Sequence, residues 1–185
     1  MRAFVAVEIP PETRADLSGL AMALKKEAKG YRFSDLGTLH VTLKFLGEVE
    51  TERFEAAGRL IAGGVDAGGP FPLKPAGLGG FPSPGSARVV FVGLKGDIEA
   101  LKKLASGVDE LLRPLGFDRE KRPYSPHLTI GRAKGDGRPQ GIHLLAEKYA
   151  DFEGAGFMVG EITLFESMLG PGGARHVAHV RGPVL

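Results

Sequence analysis

At 185 residues, 43% hydrophobic and 25% charged, the chain is sized for one domain that buries roughly 70% of its unfolded surface and needs no covalent staple. The absence of cysteine excludes disulfides and thiolate metal sites. A net charge of +2 excludes a dedicated duplex-coating protein but leaves room for a local basic patch.

Arg2 to Glu8 is rich in β-formers and predicts a first strand. This run is broken by Glu8 and Pro10-Pro11, too soon for a signal-peptide core, and no segment approaches the ~18 apolar residues of a membrane span. A cytoplasmic protein with no membrane partner is expected. Pro10-Pro11-Glu12 suits the first turn of a helix, Leu17, Leu20, Ala21, Leu24 and Ala28 keep its spacing, and Gly30 is the expected stop. Tyr31 to Asp35 leads into a strand over Leu39 to Gly47. Thr51 is placed to cap a second helix faced by Phe54, Ala57, Ile61 and Val65. Residues 63–86, dense in Gly and Pro, predict loop with one strand near Phe71 to Leu78. No glycine pair there is followed by the Lys-Ser/Thr of a phosphate-cradling loop, so nucleoside triphosphate binding is discounted.

Ala87 to Leu94 is the clearest strand. Asp97 then caps a helix lined by Ile98, Leu101, Ala105, Val108, Leu111, Leu112 and Leu115 and closed by Gly116. A basic turn, Arg119 to Pro123, precedes a strand at Pro126 to Arg132. A polar loop over Ala133 to Gly141, a short helix at His143 to Tyr149, and a hairpin of Gly160–Leu169 and Ala174–Val180 joined by Gly170 to Gly173 complete the chain. Strands alternate with helices in both halves and hairpins are frequent. The expected class is α+β, with antiparallel sheets and helices on one side.

One pattern occurs twice: His, apolar, Thr, apolar, at 40–43 and at 127–130, with the two histidines 87 positions apart. With 5 histidines and 6 threonines in the chain, two accidental copies would arise in about one shuffled chain in a few thousand, so the pair predicts an internal duplication with a shared site. On a strand, His and Thr two apart point the same way. The expectation is a single domain, 1–185, of two pseudo-symmetric lobes whose motif strands lie side by side. His40, Thr42, His127 and Thr129 would then meet in one groove. By the same parity Leu39, Val41, Leu43 and Phe45 face a core and Lys44 joins His40. Arg132 falls opposite His127 unless the strand ends or bulges at Gly131.

Two facing imidazoles, each with an unperturbed pKa near about 6.5, suit an acid/base pair that breaks a P–O bond without a metal. Threonine hydroxyls would donate to the non-bridging oxygens of the pentacovalent phosphorus. A metal-dependent hydrolase with His40 and His127 as ligands lacks a nearby carboxylate in either motif. A non-catalytic RNA-end binder is the other alternative. Arg119, Lys121 and Arg122 read as a surface turn or as phosphate-steering cations. Tyr31, Phe33, Phe81 and Tyr124 read as packing residues or base-stacking platforms. His176 and His179, three apart on a strand, should face opposite ways, and His143 stands alone.

Leu39-His40-Val41-Thr42-Leu43-Lys44-Phe45-Leu46-Gly47 and Arg122-Pro123-Tyr124-Ser125-Pro126-His127-Leu128-Thr129-Ile130-Gly131-Arg132 resemble the paired motifs of the 2H phosphoesterases, specifically the RNA 2′,3′-cyclic phosphodiesterases, also called 2′-5′ RNA ligases. Arg2 to Val7 and Ile162 to Ser167 are similar as well. The resemblance implies a bilobal fold of two antiparallel sheets lining a groove, with helices outside. It implies RNA ending in a 2′,3′-cyclic phosphate as substrate, including tRNA halves, hydrolysed to a 2′-phosphate or joined by 2′-5′ ligation. His40 would be the proton donor and His127 the proton acceptor. Thr42, Thr129 and Arg132 would bind substrate. No metal or other cofactor is implied, and a monomer is expected. The family often carries a Trp near the position of Tyr31, and this chain has none.

Overall fold

The computed structural model describes every residue except Asp35, 137–139, Pro171 and Gly172. Nine strands and four helices follow in the order β1 (Arg2–Glu8), α1 (Pro11–Glu27), β2 (Tyr31–Phe33), β3 (His40–Glu48), α2 (Thr51–Ala62), β4 (Phe71–Phe81), β5 (Val89–Gly96), α3 (Ile98–Leu112), β6 (Leu128–Ala133), α4 (His143–Lys148), β7 (Phe157–Val159), β8 (Glu161–Gly170) and β9 (Gly173–Pro183). They build two sheets, a four-stranded one ordered β3-β1-β8-β9 and a five-stranded one ordered β2-β6-β5-β4-β7. Every pairing between named strands is antiparallel. The α+β architecture expected from the chain is present.

The two sheets correspond strand for strand once β2 is set aside: β3-β1-β8-β9 against β6-β5-β4-β7. Each half of the chain places its first two long strands in one sheet and its last in the other. Helices follow the same exchange, with α2 against β8 and β9, α3 against β3, and α1 and α4 against β2 and β4. Their apolar faces close the core. Leu101, Leu104, Val108 and Leu112 of α3 are fully buried, as are Leu17, Leu24 and Ile61 from α1 and α2. β1 is buried from Ala3 to Val7 because it lies between β3 and β8, with helices on one face and the aromatic pair Phe4 and Phe165 on the other. At about 25 cal/mol per Å² of apolar surface, such two-sided burial is what makes this strand read as a continuous apolar run.

Several local expectations change. Residue 50, not Thr51, takes the cap position of α2, and no side chain accepts there, whereas Asp97 does cap α3 through Ala100 N at 2.9 Å. β4 runs the full length of Phe71–Phe81 despite its prolines and glycines, because it pairs with β5 on one side and with the short β7 on the other. The short strands β2 and β7 are additions to the expected elements. β2, so close in sequence to the first motif, belongs to the sheet of the second. The turn joining β8 to β9 falls partly on Pro171 and Gly172, outside the described residues.

Candidate active site

The motif strands β3 and β6 belong to different sheets, and they adjoin where those sheets meet. They lie next to each other without sharing a ladder. Both carry a β-bulge at the same motif position. Lys44 and Thr42 stand opposite Val5 and Ala6, which leaves Leu43 as an extra residue. Gly131 and Thr129 stand opposite Val90 and Phe91, which leaves Ile130 extra. A bulge shifts the alternation of everything beyond it.

Three residues change face in consequence. Lys44 leaves the side of His40 and is buried, 6% exposed, where its ammonium meets Asp109 of α3 and the Asp118 carbonyl at 2.7 Å. Phe45, expected in the core, is 70% exposed, with its ring 6.2 Å from that of Phe4 on the groove side. Arg132 pairs with Val89, two residues along β5 from the Phe91 that faces His127, so it stands on the face of Thr129. The bulge that permits this lies at Ile130, one residue before the position parity required.

The two imidazoles are held in the same way. His40 Nδ1 donates to the Thr38 carbonyl at 2.7 Å and His127 Nδ1 to the Ser125 carbonyl at 2.6 Å. In each case the acceptor is the carbonyl two residues earlier. A carbonyl only accepts, so Nδ1 carries the proton and Nε2 is left for a reactant. His127 itself precedes the first residue of β6. Its ring packs against Phe81 at 5.0 Å and Phe91 at 5.4 Å, and these two rings stack at 4.4 Å. Gly79 lies opposite Phe91, and a Cβ there would enter the phenyl ring. Only glycine lets Phe91 lie flat enough to support His127.

His40 is enclosed more tightly. Phe4 lies 4.6 Å from its ring, His176 meets it edge-on at 5.2 Å, and Phe165 lies at 6.2 Å. Burial pushes the His40 imidazole down to about 4, against support from the Thr38 carbonyl, and the charges of His176 and His127 push the same way. Burial also lowers His176, whose Nδ1 is buried without a hydrogen-bond partner. A cleft of about 60 Å³ beside His40 is lined by Glu8, Arg14, Thr38, Phe165 and His176. His179 lies on the opposite face of β9, edge-on to Phe54 at 5.0 Å and 3.1 Å from Glu166.

Thr42 and Thr129 are half-buried, and neither hydroxyl has a hydrogen-bond partner among the described residues. The Tyr124 hydroxyl donates to the Thr42 carbonyl at 2.8 Å and ties one motif to the other, so Tyr124 is a packing residue. Arg119 pairs with Glu110 at 3.2 Å in the exposed turn. Among the described residues no three His, Cys, Asp or Glu side chains converge as metal ligands, and no helix is long and apolar enough to cross a membrane.

Residues 4–170 match the family described as the 2′-5′ RNA ligase superfamily. The chain belongs to that superfamily. A Methanocaldococcus jannaschii member named RNA 2′,3′-cyclic phosphodiesterase is 33% identical over 173 residues, spanning 94% of this chain and 95% of its own. An Archaeoglobus fulgidus member of the same name is 35% identical, spanning 94% of both chains. The fold is that of Escherichia coli LigT in its apo form, with a TM-score of 0.70, 26% identity, and coverage of 99% of this chain and 96% of LigT. The motif resemblance and the 2′-5′ RNA ligase superfamily thus agree. Phe45 and His176 are the groove residues that motif reading missed. A bulge hid the first, and the second lies in a tail with no motif of its own.

Proposed function

We propose that the protein hydrolyses the 2′,3′-cyclic phosphate at an RNA end to a 2′-phosphomonoester, and that the same site joins RNA ends through a 2′-5′ linkage. The observation that carries this is the matched pair of imidazoles, each with Nδ1 tied to the carbonyl two residues before it, which leaves Nε2 for a reactant. The relatives' names and the existence of a LigT complex with 3′-AMP support an RNA-end substrate. The chain is read as one domain of two duplicated halves, an arrangement supported by the equivalent bulges at Leu43 and Ile130.

His127 Nε2 takes a proton from water as the water oxygen bonds to phosphorus. The bond from phosphorus to the 3′ oxygen breaks, and His40 gives that oxygen a proton. In ligation, the 5′ hydroxyl of a second RNA takes the place of water. Thr42 and Thr129 donate to the non-bridging oxygens as their charge grows, and the Arg132 guanidinium adds a charge-assisted contact. Burial holds His40 neutral in the free protein. An anionic phosphate beside it favours the charged imidazole, so substrate binding itself brings in the proton that is donated. The exposed Phe45 ring, stepped out beyond Thr42, offers a stacking surface for the terminal base.

The test is incubation of a 2′,3′-cyclic mononucleotide and a cyclic-ended oligoribonucleotide with wild type, His40→Ala and His127→Ala, in excess chelator, with phosphate position read by NMR. A 2′-monophosphate and a loss of at least ~100-fold in each variant are expected. Unchanged rates in both variants would remove the mechanism.

A further inference from the structure

The outermost strand of the second-motif sheet is β2, and its middle residue, Arg32, pairs directly with Arg132 of β6. Tyr31 on one side of it is buried, with its hydroxyl on the Ala87 carbonyl at 2.7 Å, and Phe33 on the other side packs where a Cβ of Gly131 would sit. Alternation turns Arg32 away from both, onto the groove face with Arg132. Both arginines are exposed, and neither makes an ion pair or side-chain hydrogen bond among the described residues.

Two like charges directly opposite on a ladder repel one another. Other arginines in this protein are used differently. Arg88, on the adjoining loop, reaches the Gly135 carbonyl, and Arg181 pairs with Glu8 at 2.9 Å. The Arg32–Arg132 pair has no such partner among the described residues, which leaves both guanidiniums open to an anionic ligand. Each guanidinium presents a planar fork of N–H donors that matches phosphate oxygens.

Position tells which phosphate. Thr129 and Arg132 pair with Phe91 and Val89, so the bulge places them about 7 Å apart on one face. Arg32 lies roughly 5 Å farther out, across the ladder. His127, Thr129, Arg132 and Arg32 therefore lead outward from the reacting phosphorus to the sheet edge. Arg132 reaches a phosphate held at Thr129; Arg32 stands one strand beyond it. We propose that Arg32, one strand beyond Arg132, holds the internucleotide phosphate immediately 5′ to the cyclic end, so that the groove recognises an RNA strand over a lone cyclic nucleotide. This rests on the RNA-end reading above and adds to it a residue and a substrate preference.

The experiment compares wild type, Arg32→Ala and Arg32→Lys on 2′,3′-cyclic AMP and on a cyclic-ended tetraribonucleotide across a salt series. Binding of a 2′-phosphate-ended tetraribonucleotide is followed in parallel by fluorescence anisotropy. Arg32→Ala should lower kcat/KM for the tetranucleotide about tenfold, leave cyclic AMP turnover within about twofold, and flatten the log–log salt dependence by ~0.7 for one lost phosphate contact. Arg32→Lys should restore the salt slope but only part of the affinity. An equal loss on both substrates would assign Arg32 to the reacting phosphate and overturn the proposal. No loss on either would leave Arg32 as a charge guarding a sheet edge, and would overturn it too. A wild type that binds the tetranucleotide through Arg32 yet turns over neither substrate would sink the hydrolase reading while sustaining this one.

Discussion

The phenolic hydroxyl of Tyr124 donates to the main-chain carbonyl of Thr42 at 2.8 Å. This bond crosses between the sheets, from the segment entering the second motif to the middle of the first. Its donor is buried enough to push the Tyr124 phenol well above the usual tyrosine range. Tyr124→Phe keeps the ring and removes only the bond. The expected outcome is a loss of about 1 kcal/mol in urea unfolding, with kcat lowered more than KM is raised, because the two histidines lose their common register. A variant with wild-type kcat would show that the bond has no part in aligning the motifs.

Lys44 and Asp109 form a buried pair between β3 and α3, and Asp109 also accepts from Glu120 N at 3.2 Å. The pair thus anchors the loop that leads to His127. Removing one partner leaves a buried charge without its counterpart, at a cost of about 3–5 kcal/mol. Lys44→Met and Asp109→Leu should each show this loss in chemical denaturation, and the double variant should regain most of it. Equal losses in the single and double variants would mean the charges do not act as a pair.

Stability should depend on pH through His40. Its imidazole titrates near about 4 in the folded protein, against about 6.5 when unfolded. Between these values the unfolded chain binds more protons, so stability rises with pH. The contribution, about 3 kcal/mol at most, is complete above pH 6.5 and is lost as pH falls through 4. Urea midpoints for wild type and His40→Gln should diverge across that window, with the variant flatter.

In the proposed mechanism His40 must carry a proton to donate it, so its titration enters kcat/KM as a loss of activity with rising pH. In the free enzyme, that descending limb should begin well below 6.5. His176→Phe keeps an aromatic edge against His40 and removes one of the charges that lower it. The limb should then move upward but stop short of 6.5, since burial is the larger cause. An unmoved limb would separate His176 from His40's titration.

Phe45→Ala removes an exposed ring, so its effect on stability should stay within about 0.5 kcal/mol. KM for a cyclic-ended oligonucleotide should rise about tenfold, in keeping with one lost base-stacking contact. A stability loss of several kcal/mol would instead return Phe45 to the core, where strict alternation had placed it.

The family of this protein was legible in the chain because its motifs are carried by residue identity at short range. A histidine and a threonine two apart on a strand share a face whatever the rest of the fold does, and two copies of the pattern announce a shared site. The strand and helix order, the Asp97 cap and the β8–β9 hairpin are likewise local. Tertiary structure alone decided what lies beyond each threonine. Whether Leu43 and Ile130 are bulged depends on the register of β3 against β1 and of β6 against β5, partners remote in sequence. The extra residues Leu43 and Ile130 sent Lys44 inward, Phe45 outward and Arg132 onto the face of Thr129. The positions of Arg32 beside Arg132 and of His176 against His40 were hidden for the same reason: each meets its neighbour through a strand pairing or sheet curvature that no local periodicity encodes.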